Sequence, residues 1–248
     1  MSTTSNVIRE YLETIYNLAV EGDPIVGARL AEKFGVSAPN VAAVLKRMER
    51  DGFIVMPGRG RGRAGEGIEL TDQGRAEAEA MLRQHRLAER FLSDTLGMDW
   101  VQAHEEAHHL ERGMSPAIEE RLMALLNNPR TCPHGNPIPT KSVDTVEYLR
   151  RQRALRLSDA EERQPMKVVL ISEIVEDESA LLTYLGQIDV MPGALITVEG
   201  RVPDERSLNV SITPRGRTPG EAPAHDRTRA ITLSHDLAAK IWVASARQ

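Results

Sequence analysis

The sequence predicts a mainly α protein over its N-terminal two-thirds, opening with a winged helix-turn-helix, and a small all-β domain at its C-terminus. Three observations predict it. Apolar residues recur at helical spacing as far as about Leu126. A Gly/Arg-rich stretch flanked by two short β-type runs interrupts the helices early, where a wing belongs. After Pro165 the texture changes to short strands separated by polar turns.

Each element has a local reason. Val7, Ile8, Tyr11, Leu12, Ile15 and Leu18 mark one face of a first helix. Asp23-Pro24 is expected to cap a second over 25–34, which Gly35 ends. Ser37 is the cap expected for a third over 38–50, with Val41, Val44, Leu45 and Met48 turned inward. Residues 53–56 and 68–70 are the wing strands, and 57–65 is their basic tip. Thr71-Asp72 starts a long helix to about Leu96, residues 100–112 form the next, and Ser115-Pro116 opens another through Leu126. Residues 127–139 are a Pro-rich loop, and 142–163 a charged helix followed by linker. Strands follow at 166–171, 195–202, 207–213, 230–233 and 241–244, with a helical turn at 179–185 and a Pro/Gly-rich loop at 215–227. The expected division is 1–74 for the winged helix, 75–145 for the helical segment, 146–164 for a linker and 165–248 for the β domain.

Composition narrows the function classes. The 248 residues carry a formal net charge of −5, which disfavours a wholly basic nucleic-acid coat but allows a local basic patch. Aromatic content of 4% disfavours a base-stacking platform. One cysteine, Cys132, allows no internal disulfide. The N-terminus lacks a signal-peptide pattern and no apolar run approaches a membrane span, so a cytoplasmic protein without membrane contact is expected.

The basic patch lies where the winged helix needs it. Lys46, Arg47, Arg50, Arg59, Arg61 and Arg63 stand against Glu49 and Asp51. Arginines alternating with glycines on a hairpin tip can follow phosphates, because glycine permits close approach and guanidinium makes forked contacts. Ser37, Pro39, Asn40, Ala42 and Ala43 would face a major groove at the start of the third helix, small side chains suiting thymine methyls. Arg29 joins them as a DNA-binding candidate. A solvated charged face is the bland alternative.

A second constellation concerns metal. In His104-Glu105-Glu106-Ala107-His108-His109-Leu110-Glu111, the residues His104, His108 and Glu111 fall within an arc of roughly 60° on a helix, and His109 points away. His85 and Glu89 form a one-face pair on the preceding helix, as do Glu10 and Glu13 on the first. Nitrogen and carboxylate donors suit Mn(II), Fe(II), Co(II) or Zn(II). His104-Glu105-x-x-His108 also matches the zinc-protease pattern, so a zinc metallohydrolase is the alternative. That reading needs a third ligand and an open position for water.

Tyr11-Leu-Glu-Thr-Ile-Tyr16, Met48-Glu-Arg-Asp-Gly-Phe53, Leu70-Thr-Asp-Gln-Gly74, His85-Arg-Leu-Ala-Glu-Arg90, Ala103-His-Glu-Glu-Ala107 and Gly135-Asn-Pro-Ile-Pro139 resemble the diphtheria toxin repressor family of metal-dependent regulators. The resemblance covers about residues 6–140 and extends more weakly over 166–248, where the strands are similar to that family's SH3-like (FeoA-type) domain. It implies a homodimeric, metal-activated repressor of iron or manganese homeostasis genes, dimerised through its middle helices and bound to a palindromic DNA operator. It implies two metal sites. Glu10, His108 and Glu111 match the activating site, with Glu13 matching a further glutamate of manganese sensors. His85, Glu89 and His104 match the ancillary site, with Glu178 the nearest counterpart from the third domain and Leu181 standing where a glutamine is expected. Iron sensors of the family usually have Met and Cys where this chain has Glu10 and His108. The expected activator is therefore Mn(II), with Fe(II) next and other divalent transition metals as substitutes. The family's Glu-His pair is Glu111-Arg112 here. A guanidinium ligates no metal, and Arg112 is expected either to pair with Glu10 or Glu111 or to mark a remodelled site.

Overall fold

The computed structural model describes residues 5–56, 67–140, 145–202, 206–215 and 228–246. The helical part opens with α1 (Asn6–Glu21), α2 (Gly27–Phe34) and α3 (Ala38–Arg50), then the ribbon β1 (Ile54–Val55) and β2 (Glu69–Leu70). The ribbon is antiparallel, with Ile54 opposite Leu70. Ile8, Leu12, Ile15, Leu30, Val41, Leu45 and Met48 interlock as the core of this head. Val7, expected on the inner face of α1, is 49% exposed. The α2 helix begins at Gly27, two residues later than expected, with Val26 as its cap. The Asp23 carboxylate, read as that cap, instead pairs with Arg29 at 2.9 Å and with Arg156 at 2.9 Å. Two strong cations offer it more than a lone backbone amide.

Helices α4 (Asp72–Asp94) and α5 (Trp100–Leu110) cross to form the middle of the molecule, joined by α6 (Pro116–Leu125). Thr71 caps α4, its hydroxyl accepting from Gly74 N at 3.0 Å. A Cβ on Gly74 would lie 1.9 Å from Phe53 O, so only glycine lets the helix start directly beneath the wing. Leu87, Ala88, Leu92, Ala103 and Ala107 fill the seam between α4 and α5. The expected end of α5 tightens into a 3-10 turn at Glu111–Gly113.

After α7 (Thr145–Arg151), the chain enters the β domain earlier than its texture suggests. Leu155–Arg156 forms strand β3, inside the stretch expected as linker. It pairs with β8 (Ile241–Ser245) at one end of a six-stranded antiparallel sheet. With β4 (Pro165–Ile171), β5 (Leu195–Val202), β6 (Ser207–Thr213) and β7 (Arg229–Ser234), the order is β3-β8-β4-β5-β6-β7. The full helix α8 (Glu178–Gln187) replaces the expected helical turn. The short α9 (His235–Ala238) completes the fold. Alternating Val168, Ile196, Val198, Val210, Ile212 and Val243 face one core, which Trp100 of α5 also enters. No described helix is long and apolar enough to cross a membrane.

Candidate metal centre and DNA-binding face

The centre is built around one carboxylate. Glu89, on α4, is 1% exposed. Its Oε1 lies 3.2 Å from His85 Nε2, 2.9 Å from His104 Nδ1 and 3.1 Å from His134 Nδ1. The i, i+4 spacing stacks His85 over Glu89 on α4, and the α4/α5 crossing brings His104 opposite them. His85 also reaches out from the cluster, its Nδ1 meeting Glu111 Oε2 at 2.8 Å. His108 follows His104 one turn along α5, its ring 4.5 Å from that of His85. Glu178, at the start of α8, brings Oε2 to 3.7 Å from His104 Nε2. The two ligand sets implied by resemblance are thus contiguous, with His85 between them.

Glu10 and Glu13, from α1, face the same cleft of about 780 Å³ as His104, His108 and Glu178. Glu10 is exposed and Glu13 half-buried. The cation paired with Glu111 is Arg9 of α1, at 3.4 Å, while Arg112 is exposed. Leu181 packs against the β-domain core, as an apolar side chain should.

His134, like Cys132, reads in the sequence as a spare ligand type in a loop held by prolines, and the structure brings it to Glu89. His134 lies in the Pro-rich loop, 1% exposed, and its Nε2 donates to Trp100 O at 3.1 Å. Cys132 Sγ lies 3.7 Å from its Nδ1. Burial, then the fields of Glu89 and Glu173, push that thiol well above its usual range, so it stays protonated.

The electrostatics are those of a cation site. Burial alone would raise the Glu89 carboxyl, but His134, His85 and hydrogen bonds from the histidines hold it well below the usual range. Burial opposes charge on His85, yet Glu89 and the bond to Glu111 raise it well above a free histidine. His108 is pushed down to about 4, by burial first and then by His85 and His104. Glu89 Oε2 is buried and has no hydrogen-bond partner among the described residues. An anionic oxygen buried without a partner is costly unless a cation meets it. Two triads, His85-His104-His108 and Glu89-His104-His134, each offer donor atoms within 4.8 Å of one another. Their nitrogen and carboxylate donors fit a divalent transition metal.

The DNA-facing candidates gather on one surface. Ser37, Pro39, Asn40, Ala42, Ala43, Arg47 and Arg50 are all exposed along or just before α3, while Val41, Leu45 and Met48 turn inward. Ser37 occupies the N-cap position, although its side chain makes no cap bond. Arg47 and Arg50 contact Asp51 at 3.6 and 2.9 Å. Arg29 is half-buried and paired with Asp23. Arg59, Arg61 and Arg63 lie outside the described residues.

A winged-helix head docked on a histidine- and carboxylate-lined helical segment, with a small β domain behind, defines a metal-responsive DNA-binding regulator. Residues 3–60 match the family model described as iron dependent repressor, N-terminal DNA binding domain. Residues 71–140 match its metal binding and dimerisation domain, and 155–245 match the FeoA domain. The chain is 37% identical over 238 residues, 94% of each protein, to the iron-dependent repressor IdeR of Mycobacterium leprae (strain TN). It is 37% identical over 196 residues to the diphtheria toxin repressor of Corynebacterium diphtheriae (strain ATCC 700971 / NCTC 13129 / Biotype gravis), covering 77% of this chain and 83% of that one. Among solved structures, a manganese-dependent transcriptional repressor complex with manganese matches with TM-score 0.73 and 27% identity, covering 96% of this chain and 99% of the other. The chain belongs to the diphtheria toxin repressor family of iron-dependent repressors, and it is a metal-dependent transcriptional repressor. The members matched are repressors rather than enzymes, and the zinc-protease reading falls with that. Geometry agrees, since Glu105, its required base, is exposed while His104 turns its Nδ1 to Glu89.

Proposed function

We propose that this repressor is activated by Mn(II), with Fe(II) as its nearest competitor, and binds inverted-repeat operators of manganese or iron homeostasis genes as a homodimer. The observation that carries the reading is the buried Glu89 carboxylate, shared by three histidines on one oxygen and unpartnered on the other. His85, Glu89, His104, His108 and Glu111 are the ligands proposed from the helical segment, with His134 from the loop, Glu178 from the third domain, and Glu10 and Glu13 from the head. The preference for Mn(II) rests on a donor set of carboxylates and imidazoles around a thiol held neutral.

A bound divalent cation would add positive charge at the cleft beyond that of Arg9 and the protonated histidines. The chain's own residues set the consequence. Glu10 and Glu13 come from the head, while Glu173, Glu176, Asp177 and Glu178 come from behind it, and like charges across this cleft push the two apart. Removing that repulsion seats α1, and with it α3, at one orientation. A dimer then presents two α3 helices about one helical turn of DNA apart. Exposed Ile118 and Leu125 on α6, at 46% and 59%, supply apolar surface of the kind a dimer covers.

The test is duplex selection from a random pool, followed by affinity measurement with Mn(II), Fe(II), Co(II), Zn(II) and chelator. Tight binding to an inverted repeat in Mn(II), lost in chelator, is expected. Equal affinity in both conditions would refute the reading. His108→Ala and Glu111→Ala should blunt the metal response. Neutralising Arg59, Arg61 and Arg63 should flatten the salt dependence by roughly one slope unit per lost phosphate contact.

A further inference from the structure

The third domain grips the DNA-binding head directly, through residues none of which is a proposed ligand. Ile174, which follows β4, packs into the core of the head. Around it runs a polar seam against the C-terminal end of α1. Ser172 Oγ donates to Glu21 Oε1 at 2.7 Å, and Trp242 Nε1 donates to Glu21 Oε2 at 3.2 Å. Arg156, on β3, closes the seam. Its Nη2 forms ion pairs with Glu21 Oε2 at 3.2 Å and Asp23 Oδ2 at 2.9 Å, neither aligned as a hydrogen bond. Its Nη1 donates to Ala239 O at 2.5 Å, and its guanidinium lies 4.8 Å from the Trp242 ring centroid.

We propose that Arg156 is a positioning residue for DNA binding: it anchors the α1–α2 corner of the head to the third domain and so helps set the orientation of α3. The route is short. Asp23 Oδ2 is shared by Arg156 and by Arg29 of α2, each at 2.9 Å, and α2 packs directly on α3. Arg156 sits on β3, paired with Trp242 of β8, and is fixed from behind by that ring and by Ala239 O in the turn before β8. Half-buried pairs of this kind resist solvent and define geometry better than surface pairs. The FeoA-type domain thereby acts on the head through a contact that includes no proposed ligand. This inference deepens the repressor reading and rests on it.

The experiment uses the full-length chain at saturating Mn(II), with a duplex selected against the wild-type protein. Arg156→Ala and Asp23→Ala are each expected to weaken duplex binding roughly tenfold, and the double variant no more than the worse single, as coupled neighbours do. Arg156→Lys should recover part of the loss, because the charge survives and the planar stack does not. Amide hydrogen exchange on the metal-free proteins is the second arm. The last turn of α1 and all of α2 should exchange faster in Arg156→Ala, with β5 and β6 unchanged. Duplex affinity that stays level or tightens, additive single effects, or exchange unchanged in α1 and α2 would each overturn the proposal. If the wild-type chain selects no duplex, the repressor reading fails, and the exchange arm still decides whether Arg156 anchors the head.

Discussion

His104 and Glu178 hold protons more tightly in the folded chain than out of it. Burial opposes charge on His104, but Glu178 and the hydrogen-bonded Glu89 outweigh it and raise its pKa to about 9. Burial raises that of Glu178 to about 7, with His104 pulling the other way. Unfolded values lie near about 6.5 and 4.3. A raised pKa stabilises the fold fully below the unfolded value, and the gain is lost as pH climbs through the folded one. His85 and His134 are raised in the same direction. The metal-free chain should therefore lose stability from about pH 4.3 to 7 through Glu178 and on from about pH 6.5 to 9 through His104, measurable by urea unfolding in chelator. Metal runs the opposite way. Nitrogens must shed their protons to ligate, so apparent Mn(II) affinity should rise across the His104 window with proton release. His108, already unprotonated near neutrality, contributes none of those protons. Calorimetry in two buffers of different ionisation enthalpy reads the release directly. An affinity flat from pH 6.5 to 9 would remove His104 from the ligand set.

Loop placement decides whether His134 reaches Glu89. The loop is bound to β4 by Ile171 N donating to His134 O at 2.9 Å and Asn136 Nδ2 donating to Ile171 O at 2.9 Å. Gly135 has φ +88°, and a Cβ there would lie 2.1 Å from Val169 O and 2.8 Å from Leu170 Cα. Gly135→Ala must lift the loop from the strand and draw His134 away, so Mn(II) affinity should fall on the order of tenfold or more. Gly200→Ala, where a Cβ meets nothing within 4 Å, is the control and should leave it unchanged. Identical Mn(II) titrations for Gly135→Ala and the wild type would show that His134 is not needed. The same loop shows where sequence reading stops. Pairs such as His85 and Glu89 were legible because helical spacing puts them on one face. His134 was not, because a loop has no period and its partner comes from a distant helix. Strand β3 escaped for a related reason, as Leu155 and Arg156 are strand only because Val243 and Trp242 pair with them. Nothing in the sequence around Arg86 signals burial. Arg86 is 1% exposed, and its burial depends on Asn17, Pro137 and Glu173 arriving from three other segments. The caps at Thr71 and Ser115 and the core faces of α1 and α3 were legible, since each is decided within a turn or two of the chain.

At the scale of the whole molecule, the acidity of the chain is unevenly spent. Residues 75–145 carry 8 Lys/Arg against 11 Asp/Glu, and six further carboxylates, Glu10, Glu13, Glu173, Glu176, Asp177 and Glu178, converge from outside that stretch on the cleft beside His104 and His108. The folded chain therefore concentrates negative charge where the head, the helical segment and the β domain meet. A cation there binds only the folded arrangement, because its proposed ligands come from all three. Linkage then requires Mn(II) at a hundred times its dissociation constant to stabilise the fold by about 2.7 kcal/mol. For a chain of this size that is a rise in Tm of roughly 5–10 °C over the chelated protein. A ligand set confined to α4 and α5 would sharpen only the melting of that segment. A set spanning all three should raise and sharpen the whole transition together. Glu178→Ala separates the cases, since it removes only the β domain's ligand: it should shrink the Mn(II)-induced rise and split the melt, whereas an unaltered rise would show that the third domain holds the head without holding the metal.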